Sequence, residues 1–343
     1  MKDNLFNTSK VSNIIQRQDI LDRIALVTDE DYNQLVLDIY HYQKEHCAVY
    51  ADYLHNLGDR PVKEISDIPY LPISAFKHHK VISGADHTEI IYSSSGTTET
   101  GKSLHHVRDR SAYLRQTVQI FEDSYGAIED YVFLALLPKY LEREGSSLID
   151  MMQHFISISK QEESDFYLYN HDQLYKSLEL CKSQGKPTIL FGVSFALMDF
   201  AEKYQLDFPD LIIMETGGMK GQRKELPKAA MHAILKDAFG VSSVHSEYGM
   251  TELSSQMYSS GLGAFDQNIY LRAAIHDITD PLSDAPTGKQ GIVCLMDLAN
   301  IDSCAFIMTE DTGFLNSSGQ LVLTGRLDMS EARGCNLLLG EVG

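Results

Sequence analysis

The sequence is short of basic residues, and it lacks long apolar runs. Its 343 residues include 29 Lys+Arg against 48 Asp+Glu, which gives a formal net charge of −19. That excess of negative charge argues against binding to nucleic acids or anionic membrane surfaces. No apolar run in the sequence reaches the ~18 residues that a transmembrane helix needs. Residues 1–10, MKDNLFNTSK, contain no apolar stretch of a signal peptide. We therefore expect a cytoplasmic protein without a membrane span.

Paired cysteines are also missing. The five cysteines are an odd number and include no C-x-x-C pair, which argues against a disulfide framework and against zinc. The adjacent histidine pairs, 78–79 and 105–106, lack the spacing of metal ligands on a helix, so we expect structural or substrate-lining roles. Four cysteines lie in or near apolar helical or strand-like segments and are expected to be small core residues: Cys47, Cys181, Cys294 and Cys304.

Short apolar runs alternate with amphipathic helical patterns through most of the chain. Residues 29–57 have the pattern of a helical opening, residues 90–93 that of a strand, and Asp109 can cap a helix that extends to about residue 125. The alternation predicts an α/β fold with parallel sheets flanked by helices. After about residue 269 the pattern changes to short strands with Gly, Asp and Pro between them, which predicts a β-rich portion over 269–323.

Residues 92–103, YSSSGTTETGKS, fit two phosphate-binding patterns. They match G-x-x-x-x-G-K-[ST], the P-loop of nucleoside triphosphatases. They also form a Ser/Thr/Gly-rich loop closed by Lys102, similar to the ATP-binding loop of carboxylate-adenylating enzymes. Both loops need glycine, because backbone N–H groups must approach anionic oxygens closely. Both also need a lysine that brings positive charge to the phosphates.

The P-loop interpretation requires a second apolar strand that ends in an Asp to hold Mg²⁺. The strand-like runs are residues 131–137, 188–193 and 211–214, and only the third meets an acid, Glu215. The P-loop match also leaves the three serines at 93–95 without a role. A P-loop NTPase is therefore the weaker alternative.

Two further segments favour adenylation, and the first is YGMTE at residues 248–252. The ring of Tyr248 can stack on adenine, and Gly249 lets the chain turn. The hydroxyl of Thr251 can meet the α-phosphate, and the carboxylate of Glu252 can hold Mg²⁺.

The second is TEDTG at residues 309–313, followed by TGRLD at 324–328. A carboxylate such as Asp311 can accept hydrogen bonds from both ribose hydroxyls. A cation such as Arg326 can reach the same ribose or the phosphates.

In order and spacing, these three segments resemble the core motifs of the adenylate-forming superfamily of acyl-CoA synthetases, peptide-synthetase adenylation domains and luciferases. A narrower resemblance is to the acyl-protein synthetases of LuxE type. It rests most specifically on YGMTE, on DLAN at 297–300 and on RGC at 333–335, and it covers these segments: 68–81, 136–152, 215–221, 247–259, 297–300 and 324–335.

The resemblance implies an adenylate-forming N-terminal-type core that uses ATP and Mg²⁺. The family activates a fatty acid as acyl-AMP and passes the acyl group to a protein cysteine, with an acyl-reductase or acyl-transferase protein as a partner. The resemblance and the residue chemistry together assign catalytic roles to Cys335, Lys102, Thr251 and Glu252. They assign nucleotide binding to these residues: Ser94, Ser95, Gly96, Thr97, Thr98, Gly217, Gly218, Lys220, Tyr248, Gly249, Asp311 and Arg326.

Cys335 is predicted to accept the acyl group. It follows Arg333 and Gly334, and a nearby cation favours the nucleophilic thiolate. Larger superfamily members continue, after the residue that Asp328 matches, into a mobile domain that supplies a catalytic lysine. Residues 329–343 are too few for such a domain. We therefore expect one catalytic domain over 1–328 with a short tail, and a substitute lysine drawn from three candidates: Lys102, Lys220 and Lys77.

Two other functions fit the sequence less well. The first is an acid–thiol ligase that uses coenzyme A or a carrier pantetheine in place of Cys335. The second is a non-catalytic nucleotide-binding protein, against which the intact pair Thr251 and Glu252 argues.

Overall fold

The computed structural model describes residues 16–94, 101–137, 145–217 and 226–327. The chain opens with helices α1 (Arg17–Ile24), α2 (Tyr32–His46) and α3 (Ala48–Asn56). The predicted helical opening is thus two helices, separated at Cys47, whose backbone is extended with φ −107° and ψ 100°. The next elements are strand β1 (Leu71–Pro72), the single turn α4 (Ala75–His78), the hairpin β2 (Ile90–Ser93) and β3 (Leu104–Val107), and helix α5 (Arg110–Tyr125). Asp109 caps α5 as predicted, because its Oδ1 accepts from Ala112 N at 2.8 Å.

A mostly parallel sheet follows, built by strands that alternate with helices. Its elements are β4 (Val132–Leu136), α6 (Ser147–Ser159), β5 (Asp165–Tyr167), α7 (His171–Gln184), β6 (Thr188–Val193), α8 (Ser194–Ala201), β7 (Ile212–Thr216), α9 (Lys228–Phe239), β8 (His245–Tyr248) and β9 (Met257–Ser259). The strand order is β5-β4-β6-β7-β8-β9, and only the last pair is antiparallel. Strands β4 and β6 are buried at every position, which is why they read as unbroken apolar runs.

The β-rich portion predicted near residue 269 is a second, antiparallel sheet. Its strands are β10 (Ala264–Phe265), β11 (Leu271–His276), β12 (Gly291–Asp297), β13 (Phe306–Leu315) and β14 (Leu321–Arg326). The order is β10-β14-β13-β12-β11, and β1 pairs in parallel with β13. Through that pairing the N-terminal helical part becomes continuous with the second sheet. The predicted α/β architecture is confirmed.

Within the described residues, the two larger of three apolar clusters support the two six-stranded sheets. One surrounds the parallel sheet and includes Cys181, and the other joins the N-terminal helices to the second sheet. The second core includes Cys47, Cys294 and Cys304. All four cysteines are fully buried, so their prediction as core residues is confirmed. In the part of the chain that the structure describes, no helix is both long enough and apolar enough to cross a lipid bilayer.

Candidate active site

The base of the glycine-rich loop is closed by two serines. Ser94 N donates to Ser103 O at 3.0 Å, and Ser103 N donates to Ser94 Oγ at 3.0 Å. Gly101 has a φ of +91°, in the left-handed region that favours glycine, and Lys102 beside it is exposed. Four residues predicted to bind the nucleotide lie between these points, outside the described residues: Ser95, Gly96, Thr97 and Thr98.

The carboxylate of Glu252 lies against the base of this loop. The buried hydroxyl of Ser103 hydrogen-bonds to Glu252, whose side chain is itself buried. Burial raises the pKa of Glu252, while the Ser103 hydrogen bond and the charges of Lys77 and Arg326 act in the opposite direction. The charges of two basic side chains therefore act on a carboxylate that contacts the base of the glycine-rich loop.

This surrounding suits a magnesium nucleotide. A carboxylate is the oxygen ligand that Mg²⁺ prefers, and Mg²⁺ in nucleotide sites takes one or two carboxylates together with phosphate oxygens and water. The described residues contain no group of three or more His, Cys, Asp or Glu side chains that could hold a metal by themselves. Glu252 with nucleotide phosphates is the arrangement that fits the donor set.

Tyr248, Asp311 and Arg326 form one hydrogen-bonded chain. Tyr248 OH donates to Asp311 Oδ2 at 2.8 Å, and Arg326 Nε donates to Asp311 Oδ1 at 2.8 Å. Asp311 and Arg326 are direct partners in the antiparallel pairing of β13 with β14, so the sheet register brings the two charges together. The side chain of Arg326 is 67% exposed, whereas Tyr248 is buried with its ring 5.5 Å from that of Phe265.

A third cation approaches from the N-terminal part. Lys77, on α4, donates to Glu310 Oε1 at 3.5 Å, and Glu310 is the neighbour of Asp311 on β13. The charge of Lys77 also lowers the pKa of Glu252, in opposition to burial. Of the three lysines predicted to neutralise the reaction, Lys77 and Lys102 are described, and Lys220 lies outside the described residues, as do Gly218 and Cys335.

A buried charge cluster holds the neighbouring strand end. Glu215 Oε1 lies 2.6 Å from Lys228 Nζ and accepts from Ser246 Oγ at 2.7 Å. Ser194 Oγ lies 3.0 Å from Glu215 Oε2 and 2.5 Å from the carbonyl oxygen of Gly217. Glu215, the acidic residue that could have held Mg²⁺ in a P-loop NTPase, is thus paired with a lysine of the same chain. This weighs against the P-loop interpretation.

Glu247 shows why residue 249 is glycine. Glu247 is buried and accepts from Thr216 Oγ1, and burial raises its pKa to about 7. A Cβ at position 249 would lie 2.5 Å from Glu247 Oε1. Gly249 was expected to let the chain turn; a turn follows at residues 251–252, and the φ of Gly249 itself is not positive. What the glycine supplies here is space.

The sequence-based reasoning missed three residues beside Thr251 and Glu252. They are His105, expected only to be structural or substrate-lining, and the two polar members of DLAN, Asp297 and Asn300. His105 Nδ1 lies 2.8 Å from Thr251 O, and Asn300 Nδ2 donates to Glu252 O at 2.8 Å. The sequence did contain a signal for two of them, because DLAN is one of the segments on which the LuxE-type resemblance rests. No role was assigned to its residues.

The sequence matches no known family model, and no curated protein matches it. Its fold, however, is shared with solved enzymes. ATP-bound MatB from Rhodopseudomonas palustris aligns with a TM-score of 0.54 at 16% identity, over 71% of this chain and 49% of MatB. A 2-hydroxyisobutyryl-CoA ligase in its postadenylation state, in complex with R3-HIB-AMP, aligns with a TM-score of 0.63 at 12% identity, over 90% of this chain and 70% of the ligase.

The fold is therefore that of the N-terminal core of adenylate-forming enzymes, as the resemblance implied. The chain spans about half the length of the ATP-bound MatB structures that it matches. At such low identity the likeness shows the fold alone.

The Glu215 cluster generates a prediction about stability and pH. Burial raises the pKa of Glu215, but its contacts with His232, Lys228 and Ser246 outweigh burial and lower the pKa to about 2. A folded pKa below the ordinary 4.5 means that the carboxylate stabilises the fold above about pH 4.5 and loses this effect as the pH falls toward 2. We expect Glu215→Gln to lower the free energy of unfolding by about 2 kcal/mol at pH 7.

Urea denaturation of the wild type and the variant between pH 7 and pH 3 measures this difference. It should shrink as the pH falls, whereas the exposed control Glu179→Gln should match the wild type throughout. A difference that stays constant with pH would show that Glu215 is not held ionised by these contacts.

Proposed function

We propose that this protein is an ATP-dependent ligase that activates a carboxylic acid as an acyl-adenylate. The observation that carries the proposal is the contact of Ser103, at the base of the glycine-rich loop, with the buried carboxylate of Glu252, whose pKa the charges of Lys77 and Arg326 also lower. Arg326 is in turn paired with Asp311. These groups come from distant segments of the chain. Support also comes from solved structures of this fold, which include one with ATP and one with an acyl-AMP.

In this proposal each group binds a different part of the nucleotide. Glu252 binds the Mg²⁺ that accompanies ATP, and Asp311 accepts from the ribose hydroxyls, with Arg326 beside it. Tyr248 and Gly217, with Gly218, line the adenine. The loop from Ser94 to Lys102 surrounds the phosphates.

The reaction is then a substitution at phosphorus. A carboxylate oxygen of the acid attacks the α-phosphorus, the bond to the bridging oxygen breaks, and pyrophosphate leaves with that electron pair. Charge accumulates on the phosphoryl oxygens, and we assign its stabilisation to Lys77, Lys102 and the hydroxyl of Thr251. Catalysis of this kind depends on positioning and on fixed charges, because the protein forms no bond in the step.

We further propose that the acid is a fatty acid and that the acyl group moves to the thiolate of Cys335. The thiolate attacks the acyl carbon and AMP leaves, which gives a thioester that an acyl-reductase or acyl-transferase protein would consume. The LuxE-type resemblance supports this step. The state of the other cysteines also supports it, because all four are buried, and burial raises the pKa of Cys47, Cys181 and Cys304.

A ligase that uses coenzyme A is the second candidate. One solved structure of the same fold is a 2-hydroxyisobutyryl-CoA ligase in complex with 2-HIB-AMP and CoA, with a TM-score of 0.62 at 12% identity, over 86% of this chain and 70% of the ligase. Under this alternative, free thiol would accept the acyl group without Cys335.

The central test is ATP–pyrophosphate exchange over a panel of carboxylic acids. The wild type should exchange only when an acid is present, and Glu252→Gln should lower the exchange rate by about 100-fold or more, because a neutral amide binds Mg²⁺ poorly. The variant should still fold, since the amide keeps the shape of the carboxylate. Glu129→Gln, an exposed change of the same kind, is the control. Normal exchange by Glu252→Gln would remove this residue from the mechanism.

Product analysis and lysine variants test the phosphate end of the site. We expect AMP and pyrophosphate, and no ADP, only when acid is present. Lys77→Ala and Lys102→Ala should each raise the KM for ATP more than the KM for the acid, because both charges face phosphate, whereas Lys176→Ala on the exposed face of α7 should change neither. Release of ADP without any acid would restore the P-loop interpretation.

Acyl transfer is tested with a labelled fatty acid and MgATP. The label should stay on the denatured protein and be released by neutral hydroxylamine, as expected for a thioester. Cys335→Ser should abolish this label and leave exchange largely unchanged, because the thiol acts only in the second step. Mass spectrometry should place the acyl group on Cys335. Undiminished label in the serine variant, or label on a buried cysteine, would favour the coenzyme A alternative.

A further inference from the structure

Two consecutive backbone carbonyl groups in YGMTE are held by side chains from elsewhere in the chain. His105 Nδ1 lies 2.8 Å from the carbonyl oxygen of Thr251, and Asn300 Nδ2 donates to that of Glu252 at 2.8 Å. The two side chains also meet each other, since His105 Nε2 lies 3.0 Å from Asn300 Oδ1. Both are almost completely buried, at 1% and 2% exposure. The peptide units on either side of the Glu252 α-carbon are therefore fixed.

Asp297 holds the other end of the same turn. Its Oδ2 accepts from Ser254 N at 2.7 Å and from Ser255 N at 3.2 Å, and its Oδ1 accepts from Ser255 Oγ at 2.7 Å. Asp297 is fully buried and belongs with Asn300 to DLAN. One four-residue segment thus contacts the turn that carries Glu252 at both ends.

The strand β3 links this arrangement to the phosphate loop. His105 lies two residues after Ser103, so the two side chains project to the same side of the extended chain. Ser103 contacts the carboxylate of Glu252, while His105 contacts the backbone one residue earlier. The end of the loop, the carboxylate and the backbone behind it are therefore connected through Ser103 and His105.

We propose that Asn300 and His105 are positioning residues that hold the Glu252 carboxylate in the direction needed to bind the metal of MgATP. This inference rests on the proposed function of Glu252. It assigns a purpose to DLAN: Asp297 secures the turn, and Asn300 fixes the peptide plane next to the metal ligand. Both side chains are buried, and both contact backbone carbonyl groups. Groups that orient a metal ligand typically change metal affinity or activity by about 10–100-fold when altered.

The decisive variant is Asn300→Asp. It keeps the size of the side chain but replaces the N–H that faces Glu252 O with an oxygen, so that two acceptors oppose each other. We expect the affinity of the protein for Mn²⁺–ATP to fall about tenfold, measured by water-proton relaxation without any acid. In exchange assays the KM for Mg²⁺ should rise by a similar factor, while the KM for the acid stays near that of the wild type.

Two matched sets of variants separate positioning from folding. His105→Gln retains a donor for Thr251 O and should weaken Mn²⁺–ATP binding less than His105→Leu does. The control is Asn316→Ala in the turn between β13 and β14, where the asparagine accepts from Ser318 N and Gln320 N but lies outside the proposed site. This control should bind Mn²⁺–ATP like the wild type. The thermal unfolding temperature of each variant shows whether weaker Mn²⁺–ATP binding is accompanied by destabilisation of the fold.

The inference is overturned if Asn300→Asp unfolds at a lower temperature yet binds Mn²⁺–ATP with unchanged affinity, because the residue would then serve the fold only. It is also overturned if the wild type binds no Mn²⁺–ATP. Tight Mn²⁺–ATP binding that Asn300→Asp weakens supports it, even if no acid promotes exchange. In that case the proposed activation of a carboxylic acid is wrong, and the positioning role of Asn300 stands.

Discussion

The burial of the Glu252 carboxylate is the constraint around which the site is organised. A carboxylate removed from water costs free energy unless hydrogen bonds or opposite charges compensate for it. Here the compensation comes from Ser103, Lys77 and Arg326, which belong to three different segments. Each of these segments must reach its final place before the carboxylate is stabilised. The two sheets meet at this point, since YGMTE leaves the parallel sheet at β8 and Arg326 ends β14 of the antiparallel one.

Local patterns were sufficient to predict most of the elements. The strand at residues 90–93 has the predicted bounds, the helix capped by Asp109 ends at the predicted residue, and the change to a β-rich portion begins close to residue 269. These features depend on periodicity and capping, which a sequence displays directly. The interruption at Cys47 and the helix Arg17–Ile24 were not predicted. Both depend on packing within the second core, to which Cys47 and Ile20 contribute.

Several residues of the candidate site could be proposed from motifs, but their contacts could not. Glu252 and Ser103 were both visible in motifs, yet Ser103 belonged to a pattern that pointed to another class of enzyme. The contact between Tyr248 and Asp311 is another example. Tyr248 was expected to stack on adenine and Asp311 to bind the ribose, and the structure shows that the hydroxyl of Tyr248 donates to Asp311. His105 and Thr251 are 146 positions apart in the chain. No local pattern reports such a pair, because the tertiary fold alone brings the two together.

The parallel pairing of β1 with β13 bears on the order in which the fold is completed. Leu71 is the register partner of Ile307, and Lys77 meets Glu310 across 233 positions of sequence. Contacts between such distant residues form late, because closing a long loop costs entropy before the contacts compensate for it. A nascent chain emerges from the ribosome N-terminus first. The contact between Lys77 and Glu310 therefore cannot form until residue 310 has been synthesised. The N-terminal helices therefore gain their final place on the second sheet only after β13 has been synthesised.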